Sequence, residues 1–293
     1  MAGISDRVLR VQSRLTDRDR QILAWLADHD VLTTFHLAHA LFPSLDFAQR
    51  RLLTLHQLGL LDRFRPLRPG GGSYPWHYVL GRLGADLVAA SRDQPPPRPS
   101  HTTARARRIA TSRNLDHRLG VNQFFTDLAG HARTHPGTQL ERWWSERRCA
   151  QPGAFAAALI SPVRPDGHGI LADRHRRVAF FLEHDNSTEP LGVLTTKMAN
   201  YANHGARGGP NWPVLFSLHS RTREQHLHDA LTRADVRGPV ATAVRQDADG
   251  PVDPASAIWL THRGSDAPRL LLDLADLGDP APTPDDDTPN AAN

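Results

Sequence analysis

The sequence predicts an α+β protein in two domains, with helices and one β-hairpin first and a mixed-sheet α/β layer second. Three observations predict it. Four prolines fall within Pro95–Pro99, a composition that reads as a stiff spacer. Before that run the apolar residues recur at helical spacing. After residue 139 they alternate at strand spacing. The 293 residues, 39% of them hydrophobic, suffice for two cores. The expected domains are 1–92, a linker at 93–103, 104–275, and an acidic disordered tail at 276–293.

The first domain opens with a helix from Asp17, capped by Thr16 and carrying Asp17 and Asp19 in its first turn. Ile22, Leu23, Trp25 and Leu26 form its apolar face. Thr33 or Thr34 caps a second helix that Pro43 ends. A third runs from about Asp46 to Leu58, with Phe47, Leu52, Leu53 and Leu55 apolar, and Gly59 closes it as a C′ glycine. The segments Leu60–Leu67 and Trp76–Leu80 read as two strands around a glycine-rich tip, and a helix follows at Arg82–Ala90. This order is that of a winged helix-turn-helix. Its partner would be double-stranded DNA. Gln49, Arg50 and Arg51 on the third helix would read base edges. Arg63, Arg65 and Arg68 on the hairpin would meet phosphates. The other use of such a domain is protein contact.

In the second domain a helix is expected at Leu115–His135. Strands follow at Leu140–Arg148, Gly167–Ala172 and Val178–Asp185. Ser187 or Thr188 caps a helix to about Asn203. Strand 213–218, helix 222–234 and strands near 240–244 and 258–260 complete the layer. The order helix, three strands, helix, strand resembles the core of the PD-(D/E)XK nuclease superfamily.

The chemistry-bearing residues are Asp166 before the second strand and Glu183 and Asp185 at the end of the third. Convergent carboxylates can hold Mg²⁺, an oxygen-seeking cation that keeps waters, and such a metal activates water for phosphodiester cleavage. The superfamily carries a lysine two positions after its acidic residue, where this chain has Asp185. Its single lysine, among 35 Lys and Arg residues, is Lys197 on the following helix, with Tyr201 one turn on. Asp166, Glu183, Asp185 and Lys197 are therefore the candidate catalytic residues, and the three acids the candidate Mg²⁺ ligands. The other reading makes them structural: Asp166 starts a strand, Glu183 and Asp185 pair with arginines, and Asp185-Asn186-Ser187 caps a helix.

Over residues 14–220 the chain also resembles the replication-relaxation family of actinobacterial and plasmid-borne proteins. The residues that carry the resemblance are Leu115-Asp116-His117, Asn122, Pro165-Asp166-Gly167, Phe180 to Asp185, Ser187-Thr188, Lys197 and Tyr201. His184 departs from the pattern, standing where such proteins more often have an apolar residue. The resemblance implies a role in replication or relaxation of mobile-element DNA.

Three functions follow: a DNA-binding replication or maintenance factor with a nuclease-like body, an Mg²⁺-dependent endonuclease targeted by the winged helix, or a transcriptional regulator whose second domain senses a ligand or forms a homodimer. The one cysteine, Cys149, excludes an intrachain disulfide and a cysteine-based zinc site. With no apolar run of membrane-spanning length and no signal-peptide pattern at residues 1–10, a cytoplasmic location is expected.

Overall fold

The computed structural model describes residues 11–66, 71–155, 163–187, 189–248, 250–265 and 267–283. The chain divides into two compact units, 1–130 and 131–293.

In the first unit α1 (Asp17–His29) begins with a complete capping box. The Thr16 hydroxyl accepts from the Asp19 amide, and Asp19 accepts from the Thr16 amide at 2.8 Å, so two otherwise orphaned donors are satisfied. Strand β1 (Leu32–Thr33) leads into α2 (Thr34–Leu41), capped by Thr33. Helix α3 (Leu45–Gln57) is capped by Ser44. Gly59 then takes φ +76°, the left-handed turn that a side chain would strain. Strands β2 (Leu61–Phe64) and β3 (His77–Leu80) pair antiparallel, and β1 adds to β3 to give the order β1-β3-β2. Ile22, Leu26, Leu37, Leu52 and Leu55 lie at 0–1% exposure in this core. Helix α4 (Arg82–Ser91) packs beside it.

The expected linker ends early. Helix α5 (Pro99–Ala110) takes Pro99 as its first residue, a position where proline's missing N–H costs nothing. Helix α6 (Leu115–Thr134) follows. Both belong to the first unit as far as Gly130, so the boundary expected at 93–103 lies inside that unit. The cause is packing: Ile109 and Leu115 are buried with Val31 and Val79. The Arg105 Nε reaches Asp30 at 3.1 Å, and the buried Asn122 amide donates to the carbonyls of His29 and Val31.

The second unit is built on a six-stranded sheet of order β11-β8-β7-β6-β5-β4. Strand β4 (Gln139–Ser145) turns into the short α7 (Glu146–Cys149), where the sequence suggested continued strand. Strands β5 (Gly167–Ala172) and β6 (Arg177–His184) extend it antiparallel. A crossover through α8 (Leu191–Ala206) brings β7 (Val214–Leu218) parallel to β6. Helix α9 (Arg221–Arg233) does the same for β8 (Val240–Val244). The pair β9 (Gln246–Asp247) and β10 (Gly250–Pro251) precedes β11 (Leu260–Thr261), which closes the edge antiparallel to β8. Central β6 is buried from Val178 to His184, as a strand covered on both faces must be.

The expected cap of α8 is not there. Pro190 precedes the helix without a side-chain bond. The Ser187 hydroxyl lies 2.7 Å from His219 Nδ1, and Thr188 lies outside the described residues. The tail is ordered further than expected: Asp279 accepts from the Asn211 amide and the Pro280 carbonyl from the Trp212 indole. Residues 284–293 are outside the described set.

Candidate functional site

In the second unit the site forms at one end of the β5–β6 ladder. Gly167 pairs with Leu182, so continuing the register sets Asp166 across from Glu183. Asp166 accepts from the His184 amide at 2.7 Å. Helix α8 buries Leu194, Met198 and Tyr201, a stripe at helical spacing. Lys197 stands beside that stripe, and its ammonium reaches Glu183 Oε2 at 2.8 Å and Glu189 Oε2 at 3.2 Å. The Tyr201 hydroxyl donates to Glu183 Oε1 at 2.7 Å. Glu183 is 2% exposed.

The electrostatics follow from that burial. Loss of water, and next the nearby Asp166 charge, push the Glu183 carboxyl up to about 7, against the pull of Lys197 and Tyr201. Burial alone would lower the Lys197 ammonium. The Glu183 charge and hydrogen bond outweigh it and hold the ammonium above its ordinary value. Burial, then the Glu183 charge, raise the Tyr201 phenol well above its own, so it stays a donor. Burial pushes the Cys149 thiol up to about 12, which removes it as a nucleophile near neutrality.

Asp185 does not join this cluster. Arg223 Nε binds its Oδ2 at 2.7 Å, and the Ser187 amide binds its Oδ1 at 2.9 Å. Among the described residues no three His, Cys, Asp or Glu side chains converge as a metal cage would need. The carboxylates that the fold brings together are two, Asp166 and Glu183. Two suffice for Mg²⁺, which commonly takes one or two protein carboxylates and completes its shell with water and substrate phosphate. Two acids held close, one raised toward neutrality, are also a pair that a divalent cation would relieve. The donor set thus fits Mg²⁺ at Asp166 and Glu183 and not at Asp185.

In the first unit Gln49 and Arg50 are exposed on α3. Arg50 pairs with Asp46 at 2.6 Å and lies over the Phe47 ring at 5.0 Å. Arg51 does something else. Its Nε donates at 2.9 Å to Oδ1 of Asp19, and its Nη2 binds Oδ2 of the same carboxylate, which is fully buried. It ties α3 to α1. Arg63 and Arg65 both lie over the Trp76 ring, each 4.0 Å from its centroid. Arg68 falls outside the described residues. Of the four apolar residues noted on α3, Leu52 and Leu55 are buried, and Phe47 and Leu53 are 57% and 40% exposed.

Sequence reasoning missed Glu189, Arg223 and the aromatic residues Phe35, Tyr74 and Trp76. The available signal was the aromatic pair Tyr74 and Trp76 flanking a proline beside the arginine-bearing strand.

The fold and site thus define a mixed α+β protein whose larger sheet carries a paired-carboxylate and lysine cluster. The model of the replication-relaxation family matches residues 23–215, and the chain belongs to that family. The family description ties it to replication or relaxation. No curated protein matches the chain. No helix among the described residues is long and apolar enough to cross a membrane.

Proposed function

We propose that the chain binds double-stranded DNA through the first unit and carries a PD-(D/E)XK-type site for Mg²⁺-dependent strand cleavage in the second. The observation that carries this reading is the contact of the single lysine with Glu183, with Asp166 across the ladder. An ammonium is a compact point charge that takes one oxygen of Glu183 and leaves the other to Tyr201, where a bidentate guanidinium fork would claim both. The superfamily's lysine position is filled here from α8, one crossover later in the chain.

Asp166 and Glu183 would hold Mg²⁺, which on binding would lower the pKa of a coordinated water and stabilise charge on a phosphodiester. Lys197 supplies a fixed positive charge beside the same acids. Tyr201 orients Glu183 and keeps its Oε1 satisfied. The antiparallel β4-β5-β6 run followed by a parallel crossover to β7 supports the nuclease-like reading of the sheet.

For the first unit, three helices followed by β2 and β3 support a winged helix-turn-helix. Gln49 and Arg50 would face the major groove, and Arg63 and Arg65 the phosphates. Arg51 is removed from that set by its bond to Asp19.

Two experiments test the proposal. Supercoiled plasmid incubated with the purified chain and Mg²⁺ or Mn²⁺ is expected to be nicked, and Asp166→Asn to remove the nicking. Plasmid left intact by the unsubstituted chain sinks the cleavage reading. For binding, duplex affinity is titrated with salt. The log–log slope is expected to fall by roughly one for each phosphate that the protein no longer neutralises. Arg65→Ala should therefore flatten it, and an unchanged slope and affinity in Arg63→Ala and Arg65→Ala variants rejects the docking.

A further inference from the structure

Between α3 and the β2–β3 hairpin lies a groove of about 540 Å³. Phe35, Gln49, Arg63, Arg65, Tyr74 and Trp76 contribute to its walls. We propose that this groove takes an unpaired nucleotide, a base swung out of a duplex together with its phosphate. The inference rests on the reading of the first unit as DNA-binding, and it names what that unit prefers.

The charge in the groove is positive and open. The guanidinium groups of Arg63 and Arg65 are layered on Trp76, and neither pairs with a carboxylate among the described residues. Layering on an indole fixes the plane of each guanidinium. Their in-plane N–H groups stay available to a phosphate, and little side-chain freedom is lost when one binds.

The rings in the groove are the second observation. Phe35 is 54% exposed and Tyr74 41%. Phosphate contact alone needs only cations. A paired base within a duplex has both faces covered by its neighbours, so it offers a protein ring nothing to stack on. Exposed rings set among arginines can stack on a base only when that base leaves the duplex stack, which is how single-stranded nucleic acids are held. A guanidinium face stacks on a base as well.

Size and edge chemistry agree. The groove lies within the usual range of small-molecule sites, roughly 300–1,000 Å³, and a single nucleotide suits it where a duplex does not. Gln49 lies on the wall with an amide that both donates and accepts, the pattern that reads a base edge.

The test uses the full chain at fixed salt and compares a matched duplex with the same duplex carrying one unpaired nucleotide, by fluorescence anisotropy. The bulged duplex is expected to bind about ten-fold more tightly, as one base–aromatic stack gives. Phe35→Ala should reduce that preference toward unity while affinity for the matched duplex changes by less than about two-fold. Trp76→Ala should reduce the preference as well, and should also weaken matched-duplex binding because Arg63 and Arg65 lose the ring that orients them. Phe35 is more than half exposed, so its loss keeps the fold even where Trp76→Ala does not. Equal affinity for the two duplexes overturns the nucleotide site and leaves duplex binding standing. A preference that survives both substitutions also overturns it, as does equally strong competition by an acidic, tyrosine-containing peptide. Binding to neither duplex overturns the DNA reading of the unit together with the groove.

Discussion

Glu183→Gln is expected to stabilise the folded protein at pH 8 and to leave its stability almost unchanged at pH 5. The carboxyl of Glu183 titrates at about 7 when folded, against an ordinary value of 4.5. Between those values the folded chain holds a proton that the unfolded chain has released. Stability therefore falls as pH rises through this window, and it is highest, as far as this group is concerned, below about pH 4.5. The full shift corresponds to on the order of 3 kcal/mol, taking 1.36 kcal/mol for each pH unit of difference. A glutamine of the same shape carries no charge to desolvate. Its oxygen still accepts from Tyr201, and Lys197 keeps Glu189 as a partner. Part of the gain is offset by removal of the Lys197 bond, so the expected net effect at pH 8 is on the order of 2 kcal/mol. Urea unfolding of both proteins at pH 5 and pH 8 measures it. A difference that is the same at both pH values, or a variant less stable at pH 8, would show that Glu183 is not held as a strained acid. The same substitution removes one proposed Mg²⁺ ligand. A chain that becomes more stable while losing metal-dependent cleavage is the expected mark of a functional acid kept against folding stability.

Most of the secondary structure was legible because its signals are local. Thr16 caps the helix that the sequence assigned to it, Thr33 is the one of the two candidates Thr33 and Thr34 that caps the next, and Gly59 adopts the left-handed turn expected after α3. The sheet strands followed from apolar runs such as Val178–Leu182. What stayed hidden depends on partners distant in sequence. The proline run reads as spacer, yet Pro99 opens a helix because Ile109 and Arg105 find Val31 and Asp30 in the fold. Four apolar residues on α3 do not by themselves say which face is buried; it is the one bearing Ala48, Leu52 and Leu55, and Phe47 and Leu53 are exposed. The candidate site shows the same division. Asp166, Glu183 and Lys197 were each visible as residue types at strand and helix ends. That Lys197 reaches Glu183 follows from the β6–α8–β7 crossover, which sequence spacing alone cannot orient. Asp185, two positions from Glu183, is drawn away by Arg223, and nothing in the sequence ranks that arginine above the rest.

Arg51→Ala is expected to cost about 3 kcal/mol, while its neighbour Arg50→Ala costs under about 0.5 kcal/mol. The two arginines are adjacent on α3 and chemically identical, so the difference lies in what each one meets. Asp46 and Arg50 are an exposed pair, their side chains 72% and 66% exposed, and water largely replaces what the pair provides. Asp19 has no such replacement. Its carboxylate is fully buried, with Arg51 on one side and the Thr16 amide and hydroxyl, both at 2.8 Å, on the other. Burial alone would raise the Asp19 carboxyl. The Arg51 hydrogen bonds, then those of Thr16, outweigh it and hold it below its ordinary value. Its contribution to stability is therefore present at neutral pH and is lost as pH falls through the lowered folded value. Without the guanidinium a buried anion remains with Thr16 alone, and the capping box of α1 is strained together with the α1–α3 contact. Arg51→Lys should recover only part of the stability, because a single ammonium cannot serve both carboxylate oxygens in a plane. Urea midpoints for the three variants decide the matter, with duplex affinity measured on the folded fraction. An Arg51→Ala protein that unfolds at the original midpoint but binds duplex DNA several-fold more weakly would return Arg51 to the DNA-reading face. A lowered midpoint with affinity retained assigns it to the fold, and leaves Gln49 and Arg50 as the α3 side chains that meet DNA.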